Sequence, residues 1–184
     1  MTAQKLEAGS PFPATEVAKL GGGTFTLGAA RGDKDWQMIV VYRGKHCPMC
    51  TEYLEQLKEF ADGFAEQGID VVAVSADTES KAQAHTQEKI ELNVDVGYGL
   101  TVSQMEALGL FISPPRSPEE TDRPFAEPGL FVVNEDGHVH VIDLSNNPFV
   151  RPDLKQLLRG LTWIRKPDNH YPIRGTHPNG LLYR

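Results

Sequence analysis

The chain has 184 residues, 40% of them hydrophobic, which suits one domain with a full core rather than two small ones. Its formal net charge of -7 argues against a nucleic-acid or anionic-membrane surface, because the summed field repels phosphates. Residues 1–20 hold Lys5, Glu7, Glu16 and Lys19 and no apolar run of signal-peptide length, so the expected setting is the reducing cytoplasm.

Residues 1–14, rich in Ala, Gly and Pro, read as a leader laid over the surface. Residues 15–20 and 24–27 flank Gly21-Gly22-Gly23 and predict a short hairpin, and 31–35 is a charged turn. Residues 36–42 form an apolar run broken only by Gln37, the pattern of a strand buried on both faces. Leu54, Leu57, Phe60, Ala61 and Phe64 then recur at three- and four-residue steps, so a helix is predicted over 48–67, ending near Gly68. A second buried strand follows over 69–76, and Asp77 or Thr78 can cap a helix over 79–92. Together these make a βαβ unit, whose crossover is right-handed and whose strands are parallel.

Residues 94–100 predict a short strand and 101–108 a short helix. Over 113–128 the chain becomes a loop, with Pro114, Pro115, Pro118, Pro124 and Pro128 among charges. Residues 130–134 and 138–144, joined at Glu135-Asp136-Gly137, predict an antiparallel hairpin. A closing helix over 152–164 places Leu154, Leu157, Leu158 and Leu161 on one face, with Pro152 in its first turn. The tail, 165–184, lacks any period and either wraps on the body or meets a second subunit as a homodimer contact. The fold class is α/β: one domain over 1–184, a mixed sheet with helices on both faces and an N-terminal hairpin extension.

Cys47 and Cys50 are the only two thiols, and they lie two residues apart where the strand over 36–42 passes into the helix over 48–67. At that junction both sulfurs sit near unpaired backbone N–H groups and the positive end of the helix dipole, which favours thiolate. Arg43, Lys45 and His46 add positive charge, and a lowered pKa turns an inert thiol into a nucleophile at neutral pH. Two other readings stand beside redox work: a pair of core cysteines, and half of a zinc site. No second CxxC and no finger-spaced His pair completes the zinc set, so neither metal nor cofactor is expected. Around the pair, His46 is a candidate proton shuttle or a plain turn residue. Glu52, Glu127 and Arg123 read as solvated groups, and Trp36 and Tyr42 as core.

The stretch Tyr42-Arg43-Gly44-Lys45-His46-Cys47-Pro48-Met49-Cys50 resembles the YRGxxCPxC turn of peroxiredoxin-like proteins. These belong to the alkyl hydroperoxide reductase and thiol-specific antioxidant (AhpC/TSA) superfamily, a branch of the thioredoxin-like fold. The resemblance spans about residues 9–164, including 98–110 and 128–137. It implies a thiol-dependent antioxidant oxidoreductase with no bound cofactor, acting on a peroxide or disulfide and reduced by an external thiol such as a thioredoxin. Set on the family's Pro-x-x-x-Thr-x-x-Cys pattern, Cys50 takes the peroxidatic position, Cys47 replaces the threonine and Arg43 replaces the proline. The family's later arginine falls at Pro128, so Arg43 and Arg123 are the candidates to take its place. The pair itself resembles the CxxC of thioredoxins, which implies that Pro128 is a cis proline packed against the disulfide. A peroxidase would attack through Cys50 and resolve through Cys47; a disulfide exchanger would lead with Cys47, nearer the surface. The readings from other classes are a zinc-binding or a partner-binding module without catalysis.

Overall fold

A computed structural model describes residues 5–177. In chain order its strands are β1 (Thr15–Lys19), β2 (Thr24–Leu27), β3 (Trp36–Val41), β4 (Ile69–Val74), β5 (Asp95–Tyr98), β6 (Ile112–Ser113), β7 (Phe125–Ala126), β8 (Gly129–Val133) and β9 (Val139–Leu144). Its helices are α1 (Pro48–Glu66), α2 (Glu79–Gln83), α3 (Val102–Ala107) and α4 (Leu154–Ile164). Seven strands form one sheet in the order β2-β1-β5-β4-β3-β8-β9, and β6 pairs with β7 in a separate ribbon.

β3 is buried along its whole length because it has strands on both edges and packed layers on both faces. It runs parallel to β4, from Trp36 opposite Ile69 to Val41 opposite Val74, and antiparallel to β8. Gln37, its one polar residue, is satisfied inside: Nε2 donates to Ala29 O at 2.8 Å and Asp70 Oδ2 at 3.0 Å, and Oε1 accepts from Gly28 N at 2.7 Å. Alternation along the strands splits the core in two. Ile39, Val41, Val72, Val74, Phe131 and Val133 pack with Phe25, Leu27 and the α3 residue Met105. Met38, Val40, Ala73, Leu130 and Val132 pack with Leu54, Leu57 and Phe64 of α1 and Leu154 and Leu161 of α4. Helices therefore cover both faces, as expected from the pattern.

Several boundaries differ from expectation. The helix over 79–92 is α-helical only to Gln83, then widens into a π-helical turn, Ala84–Lys89. Thr86 Oγ1 donates back to Ala82 O at 2.8 Å, and the His85 ring is held to Thr51 Oγ1 at 2.8 Å, so the wider turn drives a histidine inward. Pro152 precedes α4 rather than entering its first turn, because Asp153 is the cap: its Oδ1 accepts from Gln156 N at 2.6 Å. The proline-rich loop is closed at its two ends by the β6–β7 ribbon. Within the tail, residues 165–177 wrap on the body: Arg165 Nη2 pairs with Asp35 at 2.6 Å, and the Thr176 and Ile173 side chains abut Gly9. Residues 1–4 of the leader and 178–184 of the tail lie outside the described residues.

The strand register positions the site. Gly129 pairs with both Val41 and Leu144. The start of β8 and the end of β9 therefore lie beside the end of β3, where the chain turns toward the cysteines.

Candidate active site

After β3, Tyr42 N still bonds to Val74 O at 3.1 Å, and the chain then turns at Gly44, whose φ of 131° lies in the region reserved for glycine. Space demands glycine as well, since a Cβ there would stand 2.6 Å from Asp77 Oδ1. Asp77 Oδ2 accepts the Lys45 N–H at 2.7 Å, and burial raises the pKa of this carboxyl. The turn delivers Cys47 to the N-cap of α1, where its Sγ accepts the Cys50 N–H at 3.2 Å and Pro48 follows in the first turn. Cys50 lies one turn in, as the spacing predicted.

Both sulfurs are enclosed: Cys47 is 1% exposed and Cys50 0%. Cys47 is the nearer of the two to the surface by only that margin, because the α1 tip sinks the pair among Val40, Tyr42, Tyr53 and Leu130. Cys47 is pushed down to about 6, first because the Cys50 thiol hydrogen-bonds to it, then through the Cys50 N–H and Arg43, against the effect of burial. Cys50 is pushed up, first by burial and then by the Cys47 sulfur, while the Arg151 charge pulls the other way. One proton of the pair leaves easily and the second is held between the sulfurs.

Arg151 is the site residue that sequence reading missed. Its Nη2 donates to Cys50 Sγ at 2.9 Å, while Nη1 donates to Pro148 O and stands 3.5 Å from Met49 O. Its guanidinium also lies over the Tyr53 ring, 5.2 Å from the centroid. A signal existed: a hairpin returns the chain to the end of the sheet where its first strand began, so the residues after β9 emerge beside β3. Arg151, set between Pro148 and Pro152, is the first arginine on that return.

Arg43 bears on both sulfurs, its charge favouring the Cys47 thiolate and its backbone that of Cys50. Its guanidinium lies over the Phe125 ring and faces Glu127 at 3.3 Å and Glu120 at 3.9 Å. Glu127 is 4% exposed, not solvated as expected, and accepts from Ser113 Oγ at 2.6 Å. Arg123 stays on the loop surface, paired with Asp122 at 3.1 Å, and Glu52 is exposed. His46 packs on Phe125 with ring centroids 4.5 Å apart, and burial followed by Arg43 lowers its pKa, so it adds no positive charge near neutral pH. Trp36 and Tyr42 are core, as expected.

Pro128 is not cis: no cis peptide bond occurs among the described residues. The chain runs extended from β7 into β8, and Pro128 O accepts from Ser145 N at 3.0 Å, so no turn is required there. Pro128 instead lines, with Val40, Tyr53, Leu130 and Arg151, a space of about 10 Å³. That is room for about one water molecule. Among the described residues no group of three or more His, Cys, Asp or Glu side chains is placed to hold a metal.

A thioredoxin-like sheet carrying a CxxC pair at a helix N-terminus defines a thiol oxidoreductase. The AhpC/TSA family model matches residues 8–142, and the chain belongs to that family. Membership carries thiol-dependent peroxidase chemistry with it, for which Cys47 and Cys50 are the only thiols present. Among solved structures, the fold is similar to a peroxiredoxin-like protein from Aquifex aeolicus, with TM-score 0.71 and 21% identity over 88% of this chain and 89% of that one. It is similar to a cysteine-to-serine mutant of peroxiredoxin 6 of Arenicola marina, with TM-score 0.72 and 16% identity over 87% and 74%. It is also similar to peroxidoxin BcpB from Mycobacterium tuberculosis, with TM-score 0.69 and 19% identity over 88% and 99%. Among curated proteins, no sequence matches this chain.

Proposed function

We propose that the chain is a thiol peroxidase in which Cys50 attacks the peroxide and Cys47 resolves the product, the two cycling between dithiol and disulfide. The observation that carries this reading is the Arg151 guanidinium 2.9 Å from Cys50 Sγ. It supplies, from another part of the chain, the arginine that the family pattern leaves without a residue at Pro128. A cation there stabilises the Cys50 thiolate and the charge that develops on the peroxide oxygens as the O–O bond breaks.

The chemistry runs from the singly deprotonated pair. With the remaining proton on Cys47, the Cys50 thiolate attacks the terminal oxygen of ROOH. The S–O bond forms, the O–O bond breaks, and RO⁻ takes a proton from water. Cys47 then attacks the Cys50 sulfenic acid, closing the S–S bond and releasing water. An external thiol, such as a thioredoxin, returns two electrons. The reading takes the chain as one thioredoxin-like domain in a reducing compartment such as the cytoplasm, and no helix among the described residues is long and apolar enough to cross a membrane.

A second reading, disulfide exchange led by Cys47, draws support from its thiol being pushed down to about 6. Dimedone trapping separates the two. After one equivalent of hydrogen peroxide, Cys47→Ser is expected to carry the adduct on Cys50, and Cys50→Ser to carry almost none. An adduct on Cys47 alone reverses the assignment, and no adduct in either variant leaves the exchange reading standing instead.

A further inference from the structure

Glu127 is a buried acid that the chemistry above does not use. It is 4% exposed, on the short link between β7 and β8, and its N–H donates to Phe111 O at 2.8 Å. Ser113 Oγ donates to Oε1 at 2.6 Å, while Oε2 faces Arg43 Nε at 3.3 Å. Neither Oε2 nor Arg43 Nε makes an aligned hydrogen bond, so the two meet as charges where water does not reach. Glu120 is the weaker partner. It stands 3.9 Å from Arg43, and its two oxygens already accept from Arg116 N at 2.7 Å and Arg116 Nε at 2.9 Å.

Arg43 sits where its field reaches the sulfurs. It opens the turn that the Cys47 N–H closes on Gly44 O at 3.1 Å. Its guanidinium lies 4.7 Å from the Phe125 ring centroid, and the ring of His46, the neighbour of Cys47 in sequence, lies 4.5 Å from the same centroid. The other charged groups around the turn are matched or distant in role. Asp122 takes Lys81 at 2.7 Å and Arg123 at 3.1 Å, Asp77 takes the Lys45 N–H at 2.7 Å, Lys45 is exposed, and Arg151 donates to Cys50. Arg43 is therefore the buried cation of this turn, and Glu127 is its counter-ion.

We propose that Glu127 tunes the cysteine pair by offsetting the charge of Arg43, which limits how far the guanidinium stabilises thiolate and so sets how readily the disulfide gives way to the dithiol. The inference rests on the Cys47–Cys50 cycle above and holds whichever sulfur attacks. Reduction by glutathione breaks the protein S–S bond and forms one between two glutathiones. Two electrons and one proton pass to the pair, leaving a thiol and a thiolate, and the second proton goes to solvent. An unopposed Arg43 favours that thiolate further, which makes the disulfide a stronger oxidant and the thiolate a duller nucleophile. Glu127 holds the pair back from that extreme. It acts through Arg43 and is a tuning residue rather than a catalytic one.

The test is Glu127→Gln in the full chain. This variant removes the charge and keeps the contacts, because an amide accepts from Arg43 and donates to Ser113 Oγ. The reduced protein is alkylated with iodoacetamide across a pH series, and the pair is equilibrated separately with glutathione buffers at neutral pH. The alkylation midpoint is expected to fall by at least about half a pH unit. The equilibrium constant for reduction by glutathione is expected to rise about threefold for each such half unit. Both readouts measure one stabilisation of thiolate, so they move together, which a loss of packing alone does not produce. Glu120→Gln is expected to shift both in the same direction by less, and it decides by the same criteria if Glu127→Gln does not fold. An unchanged midpoint overturns the proposal. A midpoint that rises overturns it too, since Glu127 then orients Arg43 instead of offsetting it, and a lower midpoint with an unmoved glutathione equilibrium overturns the link to redox poise. Peroxide enters neither measurement, so the outcome is independent of the peroxidase reading.

Discussion

At the scale of single residues, two arginines flank the sulfurs. Arg43, facing Glu127 and Glu120, bears on both of them, whereas the Arg151 guanidinium donates directly to Cys50. Removing one preorganised donor from developing oxygen charge typically costs about 10²–10³ in rate. Arg151→Met is therefore expected to slow the reaction with hydrogen peroxide about a hundredfold while leaving the circular dichroism spectrum unchanged; an undiminished rate would remove Arg151 from the mechanism. The thiol pair also sets a pH dependence. Thiolate is the reactive form, so alkylation of the first thiol by iodoacetamide should rise with pH through about 6 and then level off. Because the Cys50 thiol is the largest cause of that depression, Cys50→Ala should move the midpoint to higher pH. A midpoint that stays in place would assign the depression to the helix terminus and Arg43 alone.

At the scale of elements, the first turn of α1 is supported from below by the π-helical turn after α2. His85 is 0% exposed, its Nε2 lies 2.8 Å from Thr51 Oγ1, and its ring meets Tyr42 edge-on at 5.7 Å. Burial pushes it down to about 4. Unfolded, a histidine takes up its proton near 6.5, so below that pH the unfolded chain binds a proton that the folded chain refuses. Stability is thus lost as pH falls from about 6.5 to about 4, by an amount that reaches about 3 kcal/mol and then levels off. Urea titrations across this range should show that slope in the wild type and a shallower one in His85→Gln, which retains a partner for Thr51. Equal slopes would place the pH dependence on other groups. The π turn was not legible in the sequence, because 79–92 holds no glycine or proline to mark a change of helix and the Thr51–His85 contact that accompanies the wider turn joins two separate elements. The N-cap position of Cys47 was legible, because Pro48 and the apolar steps from Leu54 to Phe64 mark where α1 begins and which way it faces.

At the scale of the whole molecule, the sheet was readable because a strand paired on both edges and covered on both faces must be apolar throughout, as Trp36–Val41 nearly is. The site was only half readable for the same kind of reason. Cys47 and Cys50 are neighbours in sequence, but Arg151 joins them through the register of β3, β8 and β9, which no local pattern displays. Glu127 was misread for want of its partners, since a carboxylate facing Arg43 and Ser113 is buried only once the loop has folded back on the turn. Peroxide reduction by one helix turn and one returning arginine is the central claim, and stopped-flow mixing of the reduced protein with hydrogen peroxide tests it most directly. Following intrinsic fluorescence and free thiols together, the account predicts loss of two thiols per peroxide in the wild type. In Cys47→Ser it predicts that the fast phase persists, and in Cys50→Ser that it vanishes. A slow reaction in all three proteins, with thiols still free, would contradict it.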